Sequence, residues 1–250
     1  MLERMRIDIL GGCGAWPEAG SACSGFLVEH EGFRLLLDAG YATFPRLLEL
    51  IPAAALDAVL ISHGHPDHCA DLNPLLRARA LAENPPPALP VFAPPAALDA
   101  VLALDRPGML DPAIALQEFE PGRTLSIGPF EVRTRLLPHW LPNAGVRLEA
   151  GGTVVAYTGD SGPDPAVVEL ARGADLLIAE ATYVEHVPGD SATFLTSAAQ
   201  AAVQAAQADS GRLLLTHLSP GTNADQATTV AGRAFAGRID VARSGLRITL

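Results

Sequence analysis

The sequence predicts a mixed α/β fold assembled from two sheet-forming halves, and three observations carry that expectation. Short runs rich in apolar and β-branched residues recur from end to end. Helix-length segments rich in alanine and leucine separate the later runs. The first part of the chain instead folds back on itself, with EHEGFR at 29–34 joining two runs as a hairpin. With 49% hydrophobic residues in 250, one domain spanning residues 1–250 can bury a substantial core.

In order, the strand-like runs are Arg6–Leu10, Phe26–Glu29, Arg34–Leu37 and Val59–Ser62. Val91–Ala93, Phe130–Leu137, Val146–Leu148, Val154–Thr158, Leu176–Ala179, Leu213–Thr216 and Leu246–Thr249 follow. Helices are expected over Phe44–Ile51, Leu72–Ala82, Ala96–Leu104, Pro165–Arg172, Leu195–Gln207 and Asp225–Phe235. Pro165 suits a first helical turn, where its fixed φ is preorganised and its missing N–H costs nothing. Thr193 or Thr196 is the expected cap of the Ala/Gln-rich helix. Asn84–Pro95 is a stiff connection around one short strand. His30 falls in the EHEG turn and is expected to face solvent, and the glycines of GGCG at 11–14 are expected to make tight turns.

The formal charge is −11, every basic residue is arginine, and there is no lysine. A lysine nucleophile, Schiff base or P-loop is therefore excluded. No Arg cluster offers the basic face that RNA or DNA binding requires. Cys13, Cys23 and Cys69 are odd in number and form no CxxC, which suits a reducing compartment. The apolar run near the N-terminus is too short for a signal peptide, and no segment is long enough to span a membrane. The expectation is a soluble cytoplasmic protein.

Chemistry concentrates in SHGHPDHCADL at 62–72, which holds three of the seven histidines and two aspartates. The apolar run before it reads as a buried strand, so His63, His65, Asp67 and His68 leave the end of a core strand, where α/β folds place their sites. Two imidazoles at H-x-H spacing on extended backbone face one side, and Asp67 and His68 point elsewhere and can serve a second ion. Mixed imidazole and carboxylate donors suit Zn²⁺, with Mn²⁺ or Fe as alternatives. Cys69 reads as a small buried residue rather than a ligand.

SHGHPDHCADL resembles the H-x-H-x-D-H signature of the metallo-β-lactamase fold. The likeness continues through GGCGAWPEAGSACSGFLVE, LLLDAG, LLPHW, TVVAYTGDSG, DLLIAEATY and LLLTHLSP. It is strongest toward the ribonuclease Z-like and cyclic-nucleotide phosphodiesterase branch. The resemblance implies a four-layer αββα sandwich with a two-metal site at one sheet edge. It implies His63, His65 and His139 on one metal, Asp67, His68 and His217 on the other, and Asp160 bridging both. Asp38 matches the aspartate that orients ligands in that family; Glu180, at a similar strand end, is expected to orient ligands or touch substrate.

The implied function is a dinuclear metal-dependent hydrolase, a phosphodiesterase acting on a small molecule through a hydroxide held between the two metals, with Asp67 and Asp160 at the reacting centre. Two rival readings are hydrolysis of a lactone or thioester carbonyl and a metal-stabilised binding protein without turnover. The sequence departs from the ribonuclease Z-like pattern twice. Phe194 stands where those enzymes carry a histidine that helps protonate the leaving group, which makes His186 the candidate substitute proton donor. Only a hairpin's length separates His139 from Asp160, where ribonuclease Z inserts its tRNA-gripping arm, so tRNA and other nucleic acids are not expected as partners. Homodimers are common in that branch, and a homodimer is compatible with this chain.

Overall fold

Two sheets face each other across an apolar interior in the computed structural model, which describes residues 4–250. The first is built from β1 (Arg6–Cys13), β2 (Ala22–Cys23), β3 (Gly25–His30), β4 (Phe33–Leu37), β5 (Ala58–Leu60), β6 (Leu89–Ala93) and β7 (Ile114–Glu118). The second comprises β8 (Thr124–Ile127), β9 (Phe130–Leu137), β10 (Asn143–Ala150), β11 (Thr153–Tyr157), β12 (Leu176–Glu180), β13 (Arg212–Thr216) and β14 (Arg238–Val241). The last strand, β15 (Arg247–Thr249), returns to the first sheet and pairs with β1. The strand orders are β15-β1-β3-β4-β5-β6-β7, with β2 beside β1, and β14-β13-β12-β11-β10-β9-β8.

Helices cover the outer faces: α1 (Thr43–Leu48), α2 (Pro66–Cys69), α3 (Leu72–Ala80) and α4 (Asp99–Leu102) on the first sheet, and α5 (Pro165–Ala171), α6 (Ala198–Gln207) and α7 (Ala224–Ala231) on the second. Alternate strand residues point to opposite faces, so each sheet feeds two cores. Phe26, Val28, Leu35 and Leu37 meet Phe130, Val146, Val155 and Ile178 between the sheets. Leu27, Leu36 and Val59 pack outward with Leu72, Leu75 and Leu76 of α3. Ala156, Leu177 and Leu213 pack outward with the alanines of α6. Three cores between four layers are the αββα sandwich.

The parallel pairs β4–β5 and β11–β12–β13 align Leu37 with Leu60, Tyr157 with Ile178, and Glu180 with Thr216. Their C-terminal ends therefore open on one edge, and the residues just beyond them can converge there.

Several expectations are corrected. The Ala/Gln-rich helix begins at Ala198, not Leu195, and Ser197 caps it in a capping box with Gln200. Thr196 is unavailable as a cap because its N–H goes to Glu180 and its hydroxyl to the Ser161 carbonyl. The region 96–104 supplies only the single turn of α4. Strands β2, β7, β8 and β14 lie outside the expected runs; β7 is largely exposed and carries no buried apolar stripe. His30 is 4% exposed, not solvated: it ends β3 and stacks near Phe130. Gly11 and Gly12 lie within β1 rather than in turns. At Gly11 a side chain would collide with the Ala22 carbonyl, so close approach of β2 explains the glycine.

Candidate metal centre

The strand β5 ends at Leu60, and the next residues set the site. His65 is extended and Pro66 opens α2, a single turn that carries Asp67 and His68. The motif is thus half extended and half helical, where the sequence reading had His63 and His65 on extended backbone and all four residues in a loop. This change of backbone separates the two donor pairs, since His63 and His65 precede the turn and Asp67 and His68 ride on it. The second sheet answers with His139 after β9, Asp160 after β11 and His217 after β13.

The seven donors form two groups that share one residue. His63, His65, His139 and Asp160 bring ligand atoms within 4.8 Å of one another, as do Asp67, His68, Asp160 and His217. In the first, His65 Nδ1 lies 3.1 Å from His63 Nε2 and 3.0 Å from His139 Nε2. In the second, His217 Nε2 lies 3.0 Å from Asp67 Oδ2 and 3.1 Å from Asp160 Oδ2. Asp160 Oδ1 is 3.2 Å from His68 Nε2, and its Oδ2 is 3.8 Å from His63 Nε2. One carboxylate therefore reaches both groups.

Hydrogen bonds behind the rings fix which nitrogen faces inward. His139 Nδ1 donates to the Phe194 carbonyl at 3.1 Å, and His68 Nδ1 to Asp38 at 2.7 Å. The Ser62 hydroxyl donates to Asp38 and accepts from His63 Nδ1. The Thr182 hydroxyl donates to Glu180 and accepts from His217 Nδ1. In all four rings Nδ1 is committed outward, which leaves Nε2 as the nitrogen that faces the centre. Asp38 and Glu180 perform parallel tasks from opposite sheets. Asp38 accepts from Ser62, His68 and Tyr157, and Glu180 from Thr182, Thr196 and the Ser161 N–H.

This donor set fits cations. His68 Nε2 and Asp160 Oδ1 are buried and have no hydrogen-bond partner among the described residues. Such orphans cost about 1–3 kcal/mol each, and lone pairs 3 Å apart repel unless something positive lies between them. Burial pulls the His63 imidazole well below its ordinary range, which keeps it neutral as a ligand must be. Burial raises Asp160, but His217 and His68 outweigh it and hold the carboxyl well below the usual range. Burial and then the Asp160 charge push Glu180 up to about 7.

Local backbone reinforces the arrangement. Asp38 and His217 both adopt left-handed φ of 57°, a strain of about 1–3 kcal/mol each that strand ends tolerate when the surroundings fix them. The Ala15 N–H donates to Asp67 at 2.8 Å. Gly14 lets that segment approach, since a Cβ there would sit 2.8 Å from His217 Nδ1.

The structure thus brings together all seven residues singled out as metal ligands. His186 is not among them; it is exposed in the 181–197 segment and makes no hydrogen bond to the seven. Phe194 contributes its carbonyl to His139, and its ring lies against Trp140. Cys69 is buried and donates to the His65 carbonyl, while burial pushes its thiol up to about 12. Sequence reasoning missed Ser62, Tyr157, Thr182 and Asn143, whose amide donates to the carbonyls of Thr158 and Asp160. Only Ser62 and Thr182, beside His63 and within AEATY, carried a signal that could have found them.

Comparison with known proteins agrees with this geometry. Residues 33–218 match the family described as "Beta-lactamase superfamily domain". The "Probable metallo-hydrolase YhfI" of Bacillus subtilis is 32% identical over 244 residues, covering 96% of this chain and 98% of its own. The crystal structure of B. subtilis YhfI, a metallo-β-lactamase fold protein, superimposes with a TM-score of 0.90 over 99% of this chain and all of that one, at 30% identity. Ribonuclease Z of Mycobacterium avium is 28% identical, covering 95% of each chain. A diphosphatase of the PhnP family shares the fold, with a TM-score of 0.76 over 98% of this chain and 97% of that one, at 18% identity. The chain belongs to the β-lactamase superfamily of metallo-hydrolases and has the metallo-β-lactamase fold.

Proposed function

We propose that this chain is a dinuclear metal-dependent hydrolase that cleaves small-molecule phosphodiesters. The observation that carries the reading is Asp160, whose carboxylate belongs to both donor groups. Two divalent ions held there would supply an acidified water as nucleophile and positive charge against the phosphoryl oxygens. His63, His65 and His139 would hold one ion, Asp67, His68 and His217 the other, and Asp160 both. Asp38 and Glu180 keep the rings turned inward. Zinc suits this imidazole and carboxylate set, with manganese or iron as alternatives.

Cleavage at phosphorus is supported by two relatives, a ribonuclease and a diphosphatase. A macromolecular RNA substrate is disfavoured by the charge of −11 and by the short β10–β11 hairpin that fills most of the span from His139 to Asp160. The superfamily's β-lactamase description favours a second reading, attack on a lactone or thioester carbonyl with the same donor set. Three free cysteines support a reducing compartment, the cytoplasm, and among the described residues no helix is long and apolar enough to cross a membrane.

Elemental analysis paired with assays on bis(p-nitrophenyl) phosphate and a simple lactone tests the reading. Two metal equivalents and turnover of the diester are expected. One equivalent under metal-replete conditions, or turnover of the lactone alone, overturns it.

A further inference from the structure

The indole of Trp140 stands directly beside the metal centre. Its ring centroid lies 5.1 Å from that of His139, edge to face, and 5.1 Å from that of Phe194, inclined by 36°. The His139 side chain is 1% exposed, whereas Trp140 is 51% exposed. The indole thus packs beside the imidazole and leaves much of its own surface open. Leu136 and Leu141 are exposed next to it and line with it a cavity of about 420 Å³ that His139 also borders. Apolar surface left open beside a candidate metal ligand marks a place where a ligand completes the packing.

The chemistry of this surface selects its occupant. Phe194 serves His139 through its backbone carbonyl, so its side chain is free for another use, and it lies against Trp140. Phe194 packs against the indole and backs it, and Trp140, which lines the cavity, offers the open π surface there; such a face binds flat rings better than aliphatic chains. The cavity is large enough for one such ring system beside His139.

We propose that Trp140, backed by Phe194, forms a stacking platform that selects substrates carrying a planar aromatic or heteroaromatic ring next to the scissile ester. The reaction rests on the phosphodiesterase reading above; the binding does not. Stacking of this kind tolerates different rings, because every flat ring has a π face. Specificity at this end of the site is therefore for flatness, not for one pattern of hydrogen-bonding groups.

The chain's two tryptophans are Trp16 and Trp140, so a Trp16→Phe protein reports Trp140 fluorescence alone and needs no turnover. Adenosine 5′-monophosphate should quench that emission at concentrations where ribose 5-phosphate, bearing the same phosphate without the ring, does not. In kinetics, bis(p-nitrophenyl) phosphate and methyl p-nitrophenyl phosphate share a leaving group and differ in the retained ring. Trp140→Ala should reduce the preference for the former by about ten- to hundredfold, mainly through KM, and Trp140→Phe should retain most of it. Equal quenching by the two phosphates, or equal losses on both diesters with Trp140→Ala, would overturn the platform and leave the hydrolase reading intact. Selective quenching in a protein that hydrolyses neither diester would support the platform and sink the phosphodiesterase reading.

Discussion

The carboxylate of Asp38 accepts both the backbone N–H and the hydroxyl of Ser62, at 2.7 and 2.8 Å. Ser62 in turn backs His63, and the same carboxylate takes the His68 Nδ1 proton. One buried acid thereby sets the tautomer of a ring in each donor group. Asp38→Asn places an amide where Oδ2 now accepts three donors. Metal affinity should fall about 10–100-fold, with a stability loss of about 1–3 kcal/mol from the unpaired buried donors. Metal titration and denaturant unfolding measure the two effects separately.

Asp160→Ala removes the carboxylate common to both groups. Bound metal should drop from two equivalents to one or fewer, and turnover should fall with it. Retention of two tightly held equivalents would show that the groups are independent.

Glu180 gives a pH signature in the metal-free protein. Its carboxyl is raised to about 7 by burial and by Asp160, above the ordinary value, so the ionised form costs folding stability. That cost is absent below the ordinary carboxylate range, grows as pH rises toward 7 and is constant above it. Between pH 5 and 8, metal-free Glu180→Gln should gain stability relative to the parent. Denaturant unfolding at several pH values checks the slope, and a pH-independent difference would refute it.

Leaving-group protonation is the fourth point of chemistry. A general acid contributes about 10²–10⁴-fold, and phenylalanine at 194 supplies none. Nitrophenyl diesters should be cleaved readily and alkyl esters should lag. Phe194→His should speed the alkyl esters. No dependence on leaving-group pKa, with chemistry rate-limiting, would remove the argument.

Transfer RNA should bind weakly at physiological salt, because a chain of net charge −11 has little counterion release to gain. A salt-dependent filter-binding assay decides this, and submicromolar affinity would contradict it.

The ligands were legible in the sequence because imidazole and carboxylate side chains at strand ends have few structural uses, and seven of them fit one pattern. Of the groups behind them, Asp38 and Glu180 were legible as acids at strand ends, but Tyr157 and Asn143 were not. Tyr157 donates to Asp38 across 119 positions of chain, and from its neighbours it is one more inward residue of an apolar strand. Pro66 did carry a helix signal, but the histidines around it invited a loop reading. His30 was misplaced because a hairpin turn predicts solvent, while here the opposite sheet brings Phe130 over it. The oversights at Tyr157 and His30 have one cause: local pattern does not report what the facing sheet brings.

Each donor group draws two residues from the β5 end of the first sheet and two from the strand ends of the second. An ion in either position would thus be a clasp between the two halves of the sandwich, drawing strength from concentration. At a thousandfold excess over Kd, binding withdraws about 4 kcal/mol from unfolding, a large share of what a domain of this kind has to spare. Metal scarcity would then reach this molecule first as a loosened seam, open to proteases.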